Sequence, residues 1–240
     1  MNTIKITAKN KPLMVAHRGC SGLERENTNA AFVAAGNRSY WGIETDVHKT
    51  VDGQYIIIHD DTTARVAIDD MVVEKSTFQT LRSLQLTDRD GTRSRSDMRL
   101  PTLDEYININ RKYDKYAVLE LKNAFEEEEV LEICARIEEL GYMDHVIFIS
   151  FAYDNLVYLR RKYPNANAQF LTSKYESGLI ERLKAWNLDL DIKHTALTAE
   201  IIKELHDEGI TVNCWTVDDP ERAEELVGWG IDMITTNILE

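Results

Sequence analysis

Residues 42–60, GIETDVHKTVDGQYIIIHD, decide how the rest of the chain reads. Side chains along a strand alternate faces, so in GIETDVH the acids Glu44 and Asp46 share one side while Ile43, Thr45 and Val47 share the other. The apolar set packs against helices, which turns the acids toward the interior or mouth of the sheet. Asp52-Gly53 then separates this strand from a second one at 55–59, and Asp-Gly between such runs is a strong hairpin signal. With Asp52 and Gly53 as the tip, paired positions sum to 105. That register sets Asp46 opposite His59, with their Cβ atoms about 5 Å apart.

Outward from this hairpin the chain alternates short apolar runs with helical stretches. Strands are expected at 13–16, 42–48, 55–59, 117–122, 146–151, 168–171, 188–192, 211–216 and 231–235. Helices are expected at 27–36, 125–140, 153–163, 176–185, 198–208 and 220–227, with Thr198 as a cap and Pro220 in a first turn. Alternation of this kind means parallel βαβ units. The strand at 55–59 returns antiparallel, and eight parallel strands remain. The expected fold is an α/β, TIM-like (β/α)8 barrel with a β-hairpin after its second strand. A barrel of this type uses about 250 residues, so 1–240 is read as one catalytic domain. The stretch 61–100 has no clean period and is read as a small insertion over one end of the barrel. Its arginines (Arg82, Arg89, Arg93, Arg95, Arg99) alternate with Asp88, Asp90 and Asp97, the pattern of a solvated charged loop.

Composition narrows the partners. The chain has 28 Lys+Arg against 41 Asp+Glu, a net charge of −13. A surface this acidic repels phosphate backbones and anionic membranes, so neither nucleic acid nor stable membrane insertion is expected. A small phosphorylated substrate needs only one local positive pocket. The three cysteines, Cys20, Cys134 and Cys214, are odd in number and far apart, as in a reduced cytoplasmic protein. The first residues lack the apolar core of a signal peptide. A monomer and a homodimer are both left open.

The same strand logic finds a third acid. In VLELK, Val118, Glu120 and Lys122 share a face opposite Ala117, Leu119 and Leu121, which puts Glu120 inside the barrel beside Glu44 and Asp46. Clustered carboxylates repel unless a cation lies among them. A structural Lys or Arg could serve, and so could a hard divalent ion such as Mg²⁺ or Ca²⁺, which takes oxygen ligands. His17-Arg18-Gly19 ends the first strand at the face where barrel enzymes keep their active sites. His17 offers proton transfer near neutral pH, and Arg18 a fork for phosphate. His59 is a second proton carrier. His48, His145, His194 and His206 are read as structural. Trp215, ending TVNCW, suits either core or the roof of a pocket, and Asn27 suits a helix cap.

In order, HRG, ENT with A-x-F, G-IETDV, T-x-DG, HD, PTL-x-E, LELK, SF, N-x-WTV and a closing D-x-IT resemble the glycerophosphodiester phosphodiesterase family from His17 to Thr236. The resemblance implies a TIM-like barrel that hydrolyses a glycerophosphodiester to sn-glycerol 3-phosphate and an alcohol. It implies catalytic histidines at His17 and His59, a divalent cation on Glu44, Asp46 and Glu120, and phosphate contacts from Arg18 and Lys122. It further places Glu26 and Trp215 at the substrate. Two positions depart from the family pattern: Arg25 stands where Pro is usual, and Thr236 follows IT where Asp is usual. Two rival readings share the motifs. One is a phosphodiesterase of lysolipids, and the other is a relative that binds without turnover.

Overall fold

The computed structural model describes residues 2–7 and 11–240. Its centre is a closed ring of eight parallel strands: β1 (Leu13–Ala16), β2 (Gly42–Lys49), β4 (Tyr116–Leu121), β5 (Val146–Ser150), β6 (Asn167–Thr172), β7 (Asp189–Lys193), β8 (Val212–Trp215) and β9 (Met233–Thr236). The ring closes where β1 pairs with β2 on one side and with β9 on the other. A ninth strand, β3 (Tyr55–Ile57), runs antiparallel to β2 outside the barrel. The described residues also form eight α-helices: α1 (Asn29–Gly36), α2 (Phe78–Ser83), α3 (Leu103–Tyr113), α4 (Glu127–Glu139), α5 (Tyr153–Lys162), α6 (Leu179–Ala185), α7 (Ala199–Asp207) and α8 (Pro220–Gly228).

Alternation along each strand separates two cores. Ile43, Val47, Ala117, Leu119 and Leu121 point outward and pack with the helices. Val15, Val118, Ile147, Ile149, Leu171 and Met233 point inward and fill the barrel. Truncating a fully buried leucine such as Leu119 to alanine costs about 2–5 kcal/mol in sites of this kind. The expected facing of β2 and β4 is therefore the observed one.

The hairpin register differs from the expected one. Val47 pairs with Ile57, His48 with Ile56 and Lys49 with Tyr55, so positions sum to 104. Asp46 lies opposite Ile58, whose N–H donates to the Asp46 carbonyl at 3.1 Å, and not opposite His59. The loop holds three residues, since Thr50 N–H donates to Gln54 O at 2.8 Å. Gly53 takes φ +74°, the left-handed third position that such a loop needs. His59 reaches the site by another route. β1 stops at Ala16, paired with Ile43, while β2 runs on to Lys49. The freed edge of β2 takes β3, and β3 delivers His59 and Asp60 over the end of β1.

The insertion is not a solvated loop. Val66, Ala67, Val73, Leu81, Leu84, Leu86, Met98 and Leu100 bury a separate small core against Ile56 and Ile58 of the hairpin. Its arginines make fixed contacts. Arg82 grips Glu105 through two hydrogen bonds of 2.9 Å, Arg95 meets Glu24 at 2.5 Å, and Arg89 donates to the Gly22 carbonyl. The helix α3 has no counterpart among the expected elements. Its start is a capping box of Thr102 and Glu105, a T-x-x-E signal present in the sequence.

Candidate active site

β1, β2 and β4 end side by side at the C-terminal mouth. Register sets the level of each acid: Asp46 and Glu120 are direct partners, and Glu44 lies one pleat deeper, level with Val118. Oxygens of the three carboxyls come within 4.8 Å of one another, and all three residues are buried. Carboxyls this close do not all ionise. Burial opposes charge on Asp46, but Arg18, then Lys122 and His59, hold it down at about 2. Burial and the Asp46 charge push Glu44 well above the usual carboxylate range. The same two causes raise Glu120 to about 8 against the pull of Lys122. One carboxylate held in its charged form beside two whose pKa values are pushed up is a donor set that fits a hard divalent ion, which displaces protons as it binds. Asp46 Oδ1 supports the fit, being buried without a hydrogen bond.

Two cations border the acids. Lys122 Nζ lies 3.1 Å from Glu120 and 3.5 Å from Asp46. Arg18 sits in a tight turn at φ +53°, followed by Gly19 at φ +76°. A side chain at Gly19 would meet the Ala31 backbone at 2.6 Å, so only glycine fits. The Arg18 N–H donates to Glu44 Oε2 at 2.7 Å, and its guanidinium donates to Glu26 Oε1 at 2.8 Å. Both Glu26 oxygens also accept from Arg65 of the insertion, at 2.5 and 2.8 Å. These arginines overcome the effect of burial and hold Glu26 at about 2.

Each histidine has one ring nitrogen fixed. Asp218 accepts from the Asn237 amide at 2.6 Å, so Asn237 turns its Oδ1 to accept from His17 Nδ1 at 2.8 Å. His17 Nε2 is left 4.0 Å from Glu44. Burial, then Arg18, lower the His17 pKa to about 4. His59 Nδ1 donates to Asp60 Oδ1 at 2.6 Å, and Asp60 Oδ2 accepts from Arg65 at 2.6 Å. Burial also lowers the His59 pKa. A continuous chain thus runs from His59 through Asp60, Arg65 and Glu26 to Arg18.

The structure gathers the sequence-predicted residues around one cavity of about 60 Å³. His17, Arg18, Glu44, His59, Glu120, Lys122 and Trp215 line it. Asp46 lies fully buried beside Glu120, and Glu26 stands behind Arg18 rather than in the lining. Trp215 is half-buried at the mouth with Phe151 edge-on at 5.7 Å.

Sequence reasoning missed the residues that hold these groups in place. Asn27 is not the helix cap; Thr28 is, accepting from Ala31 N–H at 3.2 Å. The Asn27 amide donates to Asp46 Oδ2 at 2.8 Å. His48, read as structural, is fully buried and donates to the His59 carbonyl at 3.3 Å. Asp60 was visible beside His59 in the HD pair, whereas nothing local marks Asn237, Asp218 or Arg65. Of the two departures, Thr236 donates its hydroxyl to Asp218 at 3.0 Å and accepts there from the Ile238 and Leu239 N–H groups at 3.2 and 3.1 Å. Arg25 donates to the carbonyls of Thr87 and Asp88, both at 2.6 Å, and ties the insertion to the β1–α1 loop.

Fold and site define a (β/α)8-barrel protein with a charged cleft at the C-terminal ends of its strands. The chain belongs to the glycerophosphoryl diester phosphodiesterase family, whose model matches residues 17–240. It is 29% identical over 239 residues to a glycerophosphodiester phosphodiesterase of Caldanaerobacter subterraneus, covering 95% of this chain and 94% of that one. An Oleispira antarctica phosphodiesterase solved with sn-glycerol-3-phosphate superposes with a TM-score of 0.85 at 28% identity, over 95% of this chain and 93% of that one. A Thermotoga maritima glycerophosphodiester phosphodiesterase superposes at 0.77 with 25% identity, over 96% of both chains.

Proposed function

We propose that this protein hydrolyses glycerophosphodiesters to sn-glycerol 3-phosphate and an alcohol. The carrying observation is that His17 and His59 each have Nδ1 committed to an acceptor and so present Nε2 to the cavity beside the acids. The product named for the Oleispira antarctica relative supports the same substrate class.

Glu44, Asp46 and Glu120 would hold Mg²⁺ or Ca²⁺, which supplies positive charge to a phosphate oxygen. Arg18 and Lys122 add charge from either side as the phosphorane-like transition state gains it. His17, neutral above about pH 4, takes the proton of the nucleophile, which is water or the substrate's own 2-hydroxyl. His59, where Asp60 opposes the effect of burial and favours the imidazolium, gives a proton to the departing alkoxide. Glu26 orients Arg18 from behind the cavity lining.

The test is release of glycerol 3-phosphate from glycerophosphocholine, with EDTA, with Mg²⁺ or Ca²⁺ restored, and in His17→Ala and His59→Ala. Metal-dependent release that falls about 10²–10⁴-fold in each variant supports the reading. Turnover unchanged by EDTA, or by loss of both histidines, overturns it. Preference for long acyl chains would move the assignment to lysolipids.

A further inference from the structure

The barrel wall facing the acids carries four polar side chains beside the apolar Leu171 and Met233, where the interiors of such barrels are mostly branched apolar side chains. β6 to β9 turn Gln169, Asp191, Asn213 and Thr235 inward, and all four are buried. Three of them satisfy one another. Asn213 donates to Gln169 Oε1 at 3.4 Å, and the Thr235 hydroxyl donates to Asn213 Oδ1 at 3.2 Å. Asp191 is left out. It is 1% exposed, and its Oδ1 is buried with no hydrogen-bond partner among the described residues. A buried polar atom without a partner is destabilising, so its presence in a fold calls for a group that meets it.

Topology indicates where that group lies. In the ring of eight strands, β7 is four strands from β2 in either direction. Asp191 therefore stands across the barrel from Glu44 and Asp46, and Asp191 and Glu44 line the same cavity. On the adjacent strand, the Trp215 indole nitrogen is also buried without a partner among the described residues, and Trp215 lines this cavity too. The space between the walls is about 60 Å³. At roughly 10–15 Å³ for each water, that is room for about four to six waters, the scale of a three-carbon polyol.

We infer that Asp191, together with the Trp215 N–H, is a specificity-determining anchor for hydroxyls of the substrate's glyceryl group, while the phosphate meets the acids and cations opposite. The inference rests on the phosphodiesterase reading above and names the part of the substrate that this wall recognises. Burial with no opposing cation raises the Asp191 carboxyl well above its usual range. That shift favours the protonated acid, which both donates and accepts, as a hydroxyl partner requires. An ionised carboxylate in this place would repel the phosphate; a neutral one does not.

The experiment compares two chromogenic diesters with one leaving group, the p-nitrophenyl esters of sn-glycerol 3-phosphate and of ethyl phosphate, in the metal-loaded enzyme. Asp191→Leu is expected to lower kcat/KM for the glyceryl ester about tenfold or more and to change the ethyl ester less than about twofold. Asp191→Asn, which still donates and accepts, is expected to keep most of the preference. Melting temperature should hold or rise in Asp191→Leu, because an unpartnered buried carboxyl is removed. A parallel loss on both esters, or an unchanged ratio, overturns the inference while leaving the phosphodiesterase reading intact. If neither ester turns over, that reading fails, and calorimetry with sn-glycerol 3-phosphate against ethyl phosphate decides the pocket. A preference for the glyceryl compound that disappears in Asp191→Leu upholds the inference, and equal binding overturns it.

Discussion

Asn237 Oδ1 accepts from His17 Nδ1 at 2.8 Å, and this one contact decides which imidazole nitrogen faces the acids. Asp218 enforces it, because a carboxylate only accepts and so turns the Asn237 amide nitrogen toward itself. Replacing Asn237 with alanine frees His17 to adopt either tautomer. Partners at this remove are typically worth about 10–100-fold. The expected result for Asn237→Ala is a fall of that size in kcat on glycerophosphocholine, with KM nearly unchanged. An equal rise in KM with kcat retained would mean that Asn237 shapes the pocket instead of the histidine.

Metal binding and proton binding compete at the acids. Glu120 is raised to about 8 from an ordinary 4.5, so the folded protein retains a proton that the unfolded chain releases between those values. Its contribution to stability is fully present below about pH 4.5 and is lost as pH rises through about 8. Glu44 acts in the same direction. A bound divalent ion takes over from those protons, so its stabilising effect grows with pH. Mg²⁺ or Ca²⁺ at about 100 times its dissociation constant is expected to raise Tm by about 5–10 °C at pH 8. The rise at pH 5 should be clearly smaller. Thermal scans with and without EDTA at the two pH values check this, and a larger shift at pH 5 contradicts the assignment of the acids.

The strand pattern was readable because burial imposes a period of two, and Glu44, Asp46 and Glu120 stand out against it. The two sheet faces and the inward facing of the third acid follow from that alternation, whereas its level comes from the β2–β4 register. The one-residue error in the hairpin register has a local cause. Asp-Gly was taken as a two-residue tip, but Val51 joins the loop and Gly53 fills its left-handed position. The insertion was misread because its buried residues, from Val66 to Leu100, follow no helix or strand period. They form a core only against Ile56 and Ile58 of the hairpin. Asn27, Asn237 and Arg65 carry no local signature, since each acts on a group from a distant part of the chain.

Arg25 is the visible consequence of one departure from the family pattern. Its two hydrogen bonds to the Thr87 and Asp88 carbonyls pin a segment that otherwise meets the β1–α1 loop through one Arg89 hydrogen bond to the Gly22 carbonyl and through half-buried ion pairs such as Arg95–Glu24. Such pairs are worth about 0–1 kcal/mol each, whereas hydrogen bonds from a charged donor are worth about 1.5–3. Arg25→Ala should therefore raise amide exchange in residues 85–98 about tenfold or more and leave exchange in the barrel strands unchanged. Mass-resolved hydrogen exchange reads both. Uniform acceleration across the barrel would show that Arg25 supports the whole fold and not this attachment.

Asn27 offers a clean separation of backbone from side chain. It sits at φ +50°, a conformation that costs most residues energy and glycine almost none. Its amide donates to Asp46 Oδ2 at 2.8 Å, and its Oδ1 accepts from the Thr45 hydroxyl at 2.7 Å, which fixes the amide's orientation. Asp46 is thereby turned to face Glu120 and Lys122. Asn27→Gly removes the donor without straining the turn, while Asn27→Leu removes it and adds strain. If Asn27 acts by aiming Asp46, both variants lose about 10–100-fold in affinity for Mg²⁺ or Ca²⁺ by calorimetry. Only Asn27→Leu should lose markedly in thermal stability without metal. If the glycine variant binds metal as the parent does, Asp46 is held well enough by Arg18 and Lys122 alone, and Asn27 serves the turn and not the acid.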